Sequence, residues 1–106
     1  VEEALRKTQR TLPNHVIEIE VENETDALSA ARMNVGIIML DNFSAQEGKC
    51  TARKIRKIHP GILIEVSGGI TAENIEKYAE FADRISLGYL THSIKNKDFS
   101  LEIFKN

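Results

Sequence analysis

Carboxylates and adjacent glycines end hydrophobic runs in this sequence, at positions where they could bind a ligand. Three such groups stand out: Glu20, Asp41 and Ser67-Gly68-Gly69. Glycines between a strand and a helix leave backbone N–H groups open to phosphate oxygens. Carboxylates bind sugar hydroxyls or Mg²⁺, and they stabilise positive charge that develops at an anomeric carbon. Together these residue types indicate a site for a phosphorylated ribose.

A further glycine could approach the same anion. Gly88 ends RISLG (84–88) and precedes Thr91-His92-Ser93, which we expect to form a hydroxyl-rich turn. A phosphate held between two successive strand-helix loops is a recurrent arrangement in α/β barrels. Each feature also has a structural interpretation: an exposed edge residue for Glu20, a turn or helix cap for Asp41, and a glycine turn without a ligand. The position that these residues share supports the binding hypothesis.

Short strands alternate with helices along the chain. The predicted strands are rich in β-branched residues and cover residues 16–21, 36–41, 62–67 and 84–88. Predicted helices lie between them, and their caps are Asn23, the capping box Ser44 with Glu47, and Thr71. Residues 2–12 are predicted to form one more helix. Strands that alternate with helices are typical of a parallel sheet, in an open doubly wound fold or in a barrel.

The spacing of the strand ends favours the barrel. Positions 20, 41, 67 and 88 are separated by 21, 26 and 21 residues, a nearly regular strand-helix period. A complete barrel needs roughly 250 residues, whereas this chain has 106. We therefore expect an α/β fold made of the C-terminal βα units of a TIM-like barrel, which is incomplete within this chain.

Alternation along the strands predicts which side chains share a face. In VIEIEV (16–21) the aliphatic residues Ile17, Ile19 and Val21 would contact the helices, and the glutamates would point into the barrel. The same rule places further pairs on the inward face: Met39 with Asp41, Glu65 with Ser67, and Ser86 with Gly88. Barrel active sites lie at the carboxyl ends of the strands. For Glu65, a buried structural role and a catalytic role both remain open.

Composition excludes several classes of protein. A chain of 106 residues fits one domain, and its net charge of -2 gives no electrostatic reason to expect nucleic acid as a partner. No apolar run is long enough for a membrane span, and no signal segment opens the chain, so we expect a cytoplasmic location. The single cysteine, Cys50, cannot form an internal disulfide.

The ordered motifs resemble the C-terminal part of the quinolinate phosphoribosyltransferase family. The stretches that carry the resemblance span essentially the whole chain: EIEVEN (18–23), IIMLDN (37–42), EVSGGIT (65–71), AENIEKYAE (72–80), GYLTHS (88–93) and DFSLEI (98–103). The resemblance implies transfer of phosphoribose from phosphoribosyl pyrophosphate to quinolinate, with loss of CO₂ and formation of nicotinate mononucleotide and pyrophosphate. It also implies dependence on Mg²⁺ and a homodimer or larger homo-oligomer.

The resemblance also assigns roles to individual residues. It implies that Glu20 and Asp41 contact the ribose hydroxyls and the metal-bound pyrophosphate, and that one or both of them contact Mg²⁺. The phosphate loop corresponds to Ser67, Gly68 and Gly69. The second phosphate contact corresponds to Gly88 with its neighbours Leu87 and Tyr89, and His92 corresponds to a histidine that lines the pocket.

The sequence departs from the family in its cationic residues. The family binds quinolinate with arginines, a histidine and a lysine that lie upstream of residue 1 or in a partner subunit. No such set of residues lies at a strand end in this sequence. The basic residues of the helix after Asp41 are expected to form a solvated outer face. We therefore expect residues 1–106 to be the C-terminal portion of the barrel domain, without the N-terminal domain and first strands, and inactive in isolation. A non-catalytic phosphate-binding or subunit-interaction fragment and a molybdenum-linked relative are the alternatives.

Overall fold

The computed structural model describes residues 9–12, 16–33, 35–87, 90–95 and 100–105. Seven strands in this part of the chain form one sheet, in which they lie in the order of the sequence. Their bounds are β1 Gln9–Leu12, β2 Val16–Val21, β3 Ile37–Asp41, β4 Leu63–Ser67, β5 Arg84–Leu87, β6 Leu90–Lys95 and β7 Ser100–Lys105. Strands β2 to β5 pair in parallel, whereas β1, β6 and β7 pair antiparallel with their neighbours. The four parallel strands confirm the predicted α/β architecture.

Three helices are described between these strands: α1 (Glu24–Ala31), α2 (Ala45–Ile58) and α3 (Ile75–Ala79). Asn23 Oδ1 accepts a hydrogen bond from the amide of Asp26 at 2.8 Å, so the predicted cap of α1 is confirmed. Ser44 and Glu47 form the predicted capping box, in which each side chain accepts from the other residue's amide. The longest described helix, α2, has 14 residues. Within the described ranges, therefore, no helix has the length and apolar character of a membrane span.

Helix α3 begins later than predicted, and Thr71 does not cap it. The amide of Thr71 instead donates to Asn74 Oδ1 at 2.7 Å, and Asn74 Nδ2 donates to the carbonyl of Gly69 at 2.9 Å. Both residue types can cap a helix, but here the amide side chain of Asn74 accepts from one backbone group and donates to another. Asn74 therefore fastens the glycine loop to the start of α3.

All three helices pack on the same face of the sheet. The core consists of aliphatic side chains from this face together with small and aromatic residues from the helices. The buried strand residues on this face are Ile19, Val21, Ile38, Leu40, Ile64, Val66 and Ile85, each at most 2% exposed. Helix α1 contributes Ala27, Ala30 and Ala31, and α2 contributes Ala52 and Ile55. The prediction that the aliphatic face meets the helices is confirmed.

The opposite face of the parallel strands carries the polar residues. One row across the sheet contains Glu20, Met39, Glu65 and Arg84, which pair in register from β2 to β5. The next row toward the carboxyl ends contains Asp41, Ser67 and Ser86. This arrangement is the one that alternation predicted. It places the candidate residues of adjacent strands side by side on one surface.

Two predicted features near the chain ends were wrong. Residues 9–12 form strand β1, which pairs antiparallel with β2, and not the end of a helix. Pro13 follows directly, and the residue before a proline is disfavoured in helical conformation. Residues 1–8 lie outside the described ranges. Thr91-His92-Ser93 belongs to β6 and not to a turn, because it pairs with β5 on one side and with β7 on the other.

Candidate functional site

The carboxyl ends of β3 and β4 meet through a side-chain hydrogen bond. Asp41 is the last residue of β3 and Ser67 is the last residue of β4, and the two pair directly across the sheet. Ser67 Oγ donates to Asp41 Oδ1 at 3.3 Å, and both side chains are half-buried. The carboxylate and the loop that follows Ser67 are therefore held together, as a site at one end of the sheet requires.

Glu20 lies on the same face as Asp41, one strand away and one row deeper. It pairs with Met39, which precedes Asp41 by two residues on β3. With a rise of about 3.3 Å per residue and a strand separation of about 4.8 Å, the Cα atoms of Glu20 and Asp41 are roughly 8 Å apart. Their side chains can reach a ligand of the size of a sugar from two sides. The structure thus brings together the two carboxylates that the sequence singled out.

The two glycines after β4 adopt a conformation that few other residues tolerate. Gly68 has φ +83° and Gly69 has φ +69°, both in the left-handed region. A Cβ atom on Gly68 would collide with Asn42 Oδ1, whereas a Cβ on Gly69 would meet no atom within 4 Å. One side of the loop is therefore filled by Asn42, and the other side is open. Backbone amides in a turn can point toward a common concave site, where an anion can bind.

Asn42 belongs to this site, although the sequence did not mark it as a functional residue. Its backbone N–H donates to the carbonyl of Ser67 at 2.9 Å, and its φ is +61°. Asparagine is one of the few residues that adopt this conformation with little strain. The position of Asn42 directly after the strand end at Asp41 was the available indication, because asparagine following a strand often marks a left-handed turn.

The second predicted phosphate contact is only partly described. Leu87 ends β5 and is 38% exposed, next to Ser86, which pairs with Ser67. Gly88 and Tyr89 lie outside the described residues. The backbone of His92 lies in β6, opposite Ile85 of β5. The contributions of these residues to a phosphate site remain predictions.

An ion pair between a buried glutamate and a half-buried arginine lies beneath the strand ends. Glu65 is 2% exposed, and its Oε1 lies 4.0 Å from Nε of Arg84 on the adjacent strand. Glu18, one row deeper on β2, is also buried, at 3% exposed. Buried carboxylates require charged or hydrogen-bonding partners. Of the two roles left open for Glu65, the structure favours the structural one, in which it joins β4 to β5 below the site.

The donor atoms at the strand ends fit a magnesium ion that is held mainly by a substrate. Mg²⁺ prefers oxygen ligands and is commonly bound through one or two carboxylates together with substrate phosphates and water. Asp41 and Glu20 supply such carboxylates on one face. The described residues contain no group of three or more acidic, histidine or cysteine side chains that could form a cage. Asp41 and Glu20 could therefore supply one or two of the ligands of such an ion.

The basic residues of α2 lie away from the strand ends. Lys49, Arg53, Arg56 and Lys57 line a cleft of about 330 Å³ on the outer surface of the helix layer, beside Glu80 and Phe81. Arg56 Nη2 donates to the carbonyl of Phe81 at 2.6 Å and lies 3.2 Å from Asp83. Lys54, on the same helix, pairs with Glu24 of α1 at 3.0 Å. This placement confirms that they form an outer face.

Comparisons with known proteins agree with this architecture. The family model described as "Quinolinate phosphoribosyl transferase, C-terminal domain" matches residues 1–102. A Methanocaldococcus jannaschii protein named probable nicotinate-nucleotide pyrophosphorylase [carboxylating] is 40% identical over an alignment of 111 positions, and the alignment covers 99% of this chain and 39% of that protein. The human protein with the name nicotinate-nucleotide pyrophosphorylase [carboxylating] is 33% identical, and the alignment covers 98% of this chain and 36% of the human protein.

A solved structure shows the same fold. The crystal structure of nicotinate-nucleotide pyrophosphorylase from Ehrlichia chaffeensis superposes with a TM-score of 0.64 at 30% identity, and the match covers 98% of this chain and 37% of that one. This chain thus spans less than two fifths of the length of the relatives that it matches. Because the family model covers nearly all of its residues, the chain belongs to the family of quinolinate phosphoribosyl transferase C-terminal domains.

Proposed function

We propose that this chain forms the phosphoribosyl-binding half of an enzyme that converts quinolinate and phosphoribosyl pyrophosphate into nicotinate mononucleotide, CO₂ and pyrophosphate. The chain would be the C-terminal portion of the barrel domain of a longer protein. Membership of the family and the names of its relatives support the reaction. The observation that supports the site is the contact between Asp41 and Ser67, which places a carboxylate beside a glycine loop at the strand ends.

In this proposal each group at the strand ends binds a different part of the donor. The amides of Gly68 and Gly69 bind the 5-phosphate, because these two residues form a turn without side chains and no atom lies within 4 Å of the Cβ position of Gly69. The carboxylate of Glu20 accepts hydrogen bonds from the ribose hydroxyls. Asp41 faces the pyrophosphate end of the donor. Mg²⁺, when bound there, neutralises charge on the pyrophosphate and makes it a better leaving group.

The transfer exchanges one bond at the anomeric carbon for another. The C1–O bond to pyrophosphate breaks with its electron pair on pyrophosphate, and the lone pair of the quinolinate ring nitrogen forms the new C1–N bond. The carboxylates of Glu20 and Asp41 stabilise the positive charge that develops on the ribose during this step. One carboxylate then leaves as CO₂, its bonding electrons pass to the positively charged ring, and a proton takes its place.

The binding of quinolinate requires residues beyond those described here. Quinolinate is a dianion, and the last residues of the parallel strands β2 to β5, which are Val21, Asp41, Ser67 and Leu87, include no lysine or arginine. In this proposal its cationic partners come from the remainder of the longer protein and from a second subunit of a homodimer or larger homo-oligomer. The enzyme would act in the cytoplasm.

The test is an assay of the full-length protein with quinolinate, phosphoribosyl pyrophosphate and Mg²⁺, in which nicotinate mononucleotide and CO₂ are measured together. The proposal predicts equal amounts of the two products and a loss of turnover of roughly 100-fold in Glu20→Gln. The exposed substitution Glu76→Gln on α3 is the matched control and should leave turnover unchanged. A folded protein that binds phosphoribosyl pyrophosphate without forming either product would instead support the non-catalytic phosphate-binding alternative.

A further inference from the structure

Asn42 occupies an unusual position between the two halves of the proposed phosphoribosyl site. Among the described residues it is the only non-glycine with positive φ, at +61°. It directly follows Asp41, the last residue of β3. Left-handed backbone is uncommon in non-glycine residues, and where it occurs the surrounding structure often has a functional use for it.

Asn42 contacts the glycine loop through both its backbone and its side chain. Its N–H donates to the carbonyl of Ser67 at 2.9 Å. Its Oδ1 fills the space in which a Cβ atom of Gly68 would lie. Asp41 meanwhile accepts the hydrogen bond from Ser67 Oγ at 3.3 Å. Two consecutive residues at the end of β3 therefore hold two consecutive residues at the end of β4.

The side chain of Asn42 acts on the loop by packing. It is exposed, and it makes no hydrogen bond to another described residue. Its contact with Gly68 limits how far the loop can move toward β3. The loop is fastened separately at Gly69, because Asn74 Nδ2 donates to the carbonyl of Gly69 at 2.9 Å. Two asparagines thus restrain the loop, Asn42 at Gly68 and Asn74 at Gly69.

We propose that Asn42 is a positioning residue for the phosphate loop: through Gly68 it holds Ser67-Gly68-Gly69 in the conformation that binds the 5-phosphate. This inference rests on the proposed function for the identity of the ligand. Asn42 itself does not need to touch the substrate. Its loss should weaken binding of the phosphoribosyl donor and leave the binding of quinolinate unchanged.

The informative variant is Asn42→Gly, because glycine keeps the positive φ and removes only the side chain. In the full-length protein we expect the KM for phosphoribosyl pyrophosphate to rise about tenfold, since small displacements of binding groups weaken their interactions strongly. The KM for quinolinate should stay within about twofold of the parent value. An unchanged KM for the donor would overturn the inference, because Asn42 would then have no role in positioning the phosphate loop. An equal rise in the KM values for the donor and for quinolinate would also overturn it, because it indicates a general loss of structure.

A double-mutant cycle with Gly68→Ala tests the packing contact itself. In the parent protein the added methyl group collides with Asn42 Oδ1, whereas in Asn42→Gly the nearest remaining atom is the Asn42 amide nitrogen at 3.1 Å. Each variant's loss of affinity for the donor is expressed as a fold-change relative to the parent. The loss in the double variant should be smaller, by at least about threefold, than the product of the losses in the two single variants. Losses that simply multiply would contradict a direct contact between the two residues.

Titration with inorganic phosphate separates this inference from the proposed reaction. If the full-length parent protein forms no nicotinate mononucleotide, the proposed function fails. The inference then stands if Asn42→Gly weakens phosphate binding several-fold relative to the parent, and it falls if the two proteins bind phosphate equally. If the parent is active and Asn42→Gly matches it in both assays, only the inference fails.

Discussion

Ser67 Oγ donates a hydrogen bond to Asp41 Oδ1 at 3.3 Å, and this contact joins the ends of two neighbouring parallel strands. The two residues are 26 positions apart in the sequence. The bond keeps one carboxylate oxygen in a fixed position and directs the chain after Ser67 into the glycine loop. A proposed catalytic carboxylate and a proposed phosphate loop are thereby coupled in one small structure.

Replacing Asp41 by Asn should impair the reaction more than the stability of the protein. The substitution keeps the shape and an oxygen that can accept from Ser67, but it removes the negative charge that faces Mg²⁺ and the pyrophosphate. We expect kcat to fall roughly 100-fold and the Mg²⁺ concentration for half-maximal activity to rise. Steady-state kinetics over a series of Mg²⁺ concentrations measures both. Turnover equal to that of the parent would remove Asp41 from the site.

The two loop glycines should differ in their tolerance of alanine. At Gly69 only the backbone conformation opposes a side chain, so Gly69→Ala should lower the free energy of unfolding by about 1–2 kcal/mol. At Gly68 the collision with Asn42 adds to this strain, so Gly68→Ala should lower it by more than about 2 kcal/mol. Gly61→Ala is the control, because its Cβ would lie 3.4 Å from the nearest atom, on the His59 ring. Equal effects at both loop positions, measured by chemical denaturation, would contradict this packing.

Two isoleucines of α2 provide a test of the core. Ile55 is fully buried against the sheet, whereas Ile58, one turn later, is 39% exposed. Ile55→Ala should lower the free energy of unfolding by about 2–5 kcal/mol, because it leaves a cavity. Ile58→Ala should cost less than about 1 kcal/mol. If Ile58→Ala proved the more damaging of the two, the described orientation of α2 would be wrong.

The ion pair between Glu24 and Lys54 should make a pH-dependent contribution to stability. The hydrogen bond and the charge of Glu24 raise the pKa of Lys54 above its ordinary value of 10.5. Because the folded pKa is the higher one, the contribution is fully present below pH 10.5 and is lost as the pH rises through the raised value. The difference in denaturation midpoint between the parent and Lys54→Met should therefore shrink at alkaline pH. Both side chains are well exposed, so added salt should also reduce the difference. A difference that persists above the raised pKa would contradict the pairing.

The parallel strands could be predicted because they are strongly constrained by alternation. VIEIEV has a single arrangement that buries Ile17, Ile19 and Val21 together, and the structure places β2 at the predicted residues. The period-two pattern then fixed the faces of β3 and β4 as well. Strand β1 was missed because its extended form depends on pairing with the edge of β2, and a short segment carries little evidence of such a partner.

The candidate site could be predicted in its residue types but not in its contacts. Asp41, Ser67 and the two glycines could be identified because the carboxyl ends of parallel strands lie at the same edge of the sheet. Their coupling through Asn42 depends on the register between β3 and β4, which relates residues that are distant in sequence. The double attachment by Asn74 was missed for a similar reason: Thr71 and Asn74 are both good caps, and only the position of the loop decides between them.

The proposed function depends above all on binding of the phosphoribosyl donor at the strand ends. A crystal structure of the full-length protein with Mg²⁺ and phosphoribosyl pyrophosphate tests it most directly. We expect 5-phosphate oxygens within about 3 Å of the amide nitrogens of Gly68 and Gly69, with the ribose hydroxyls at Glu20 and the pyrophosphate on the side of Asp41. Donor bound at another surface, with the loop between Ser67 and Asn74 unoccupied, would contradict it.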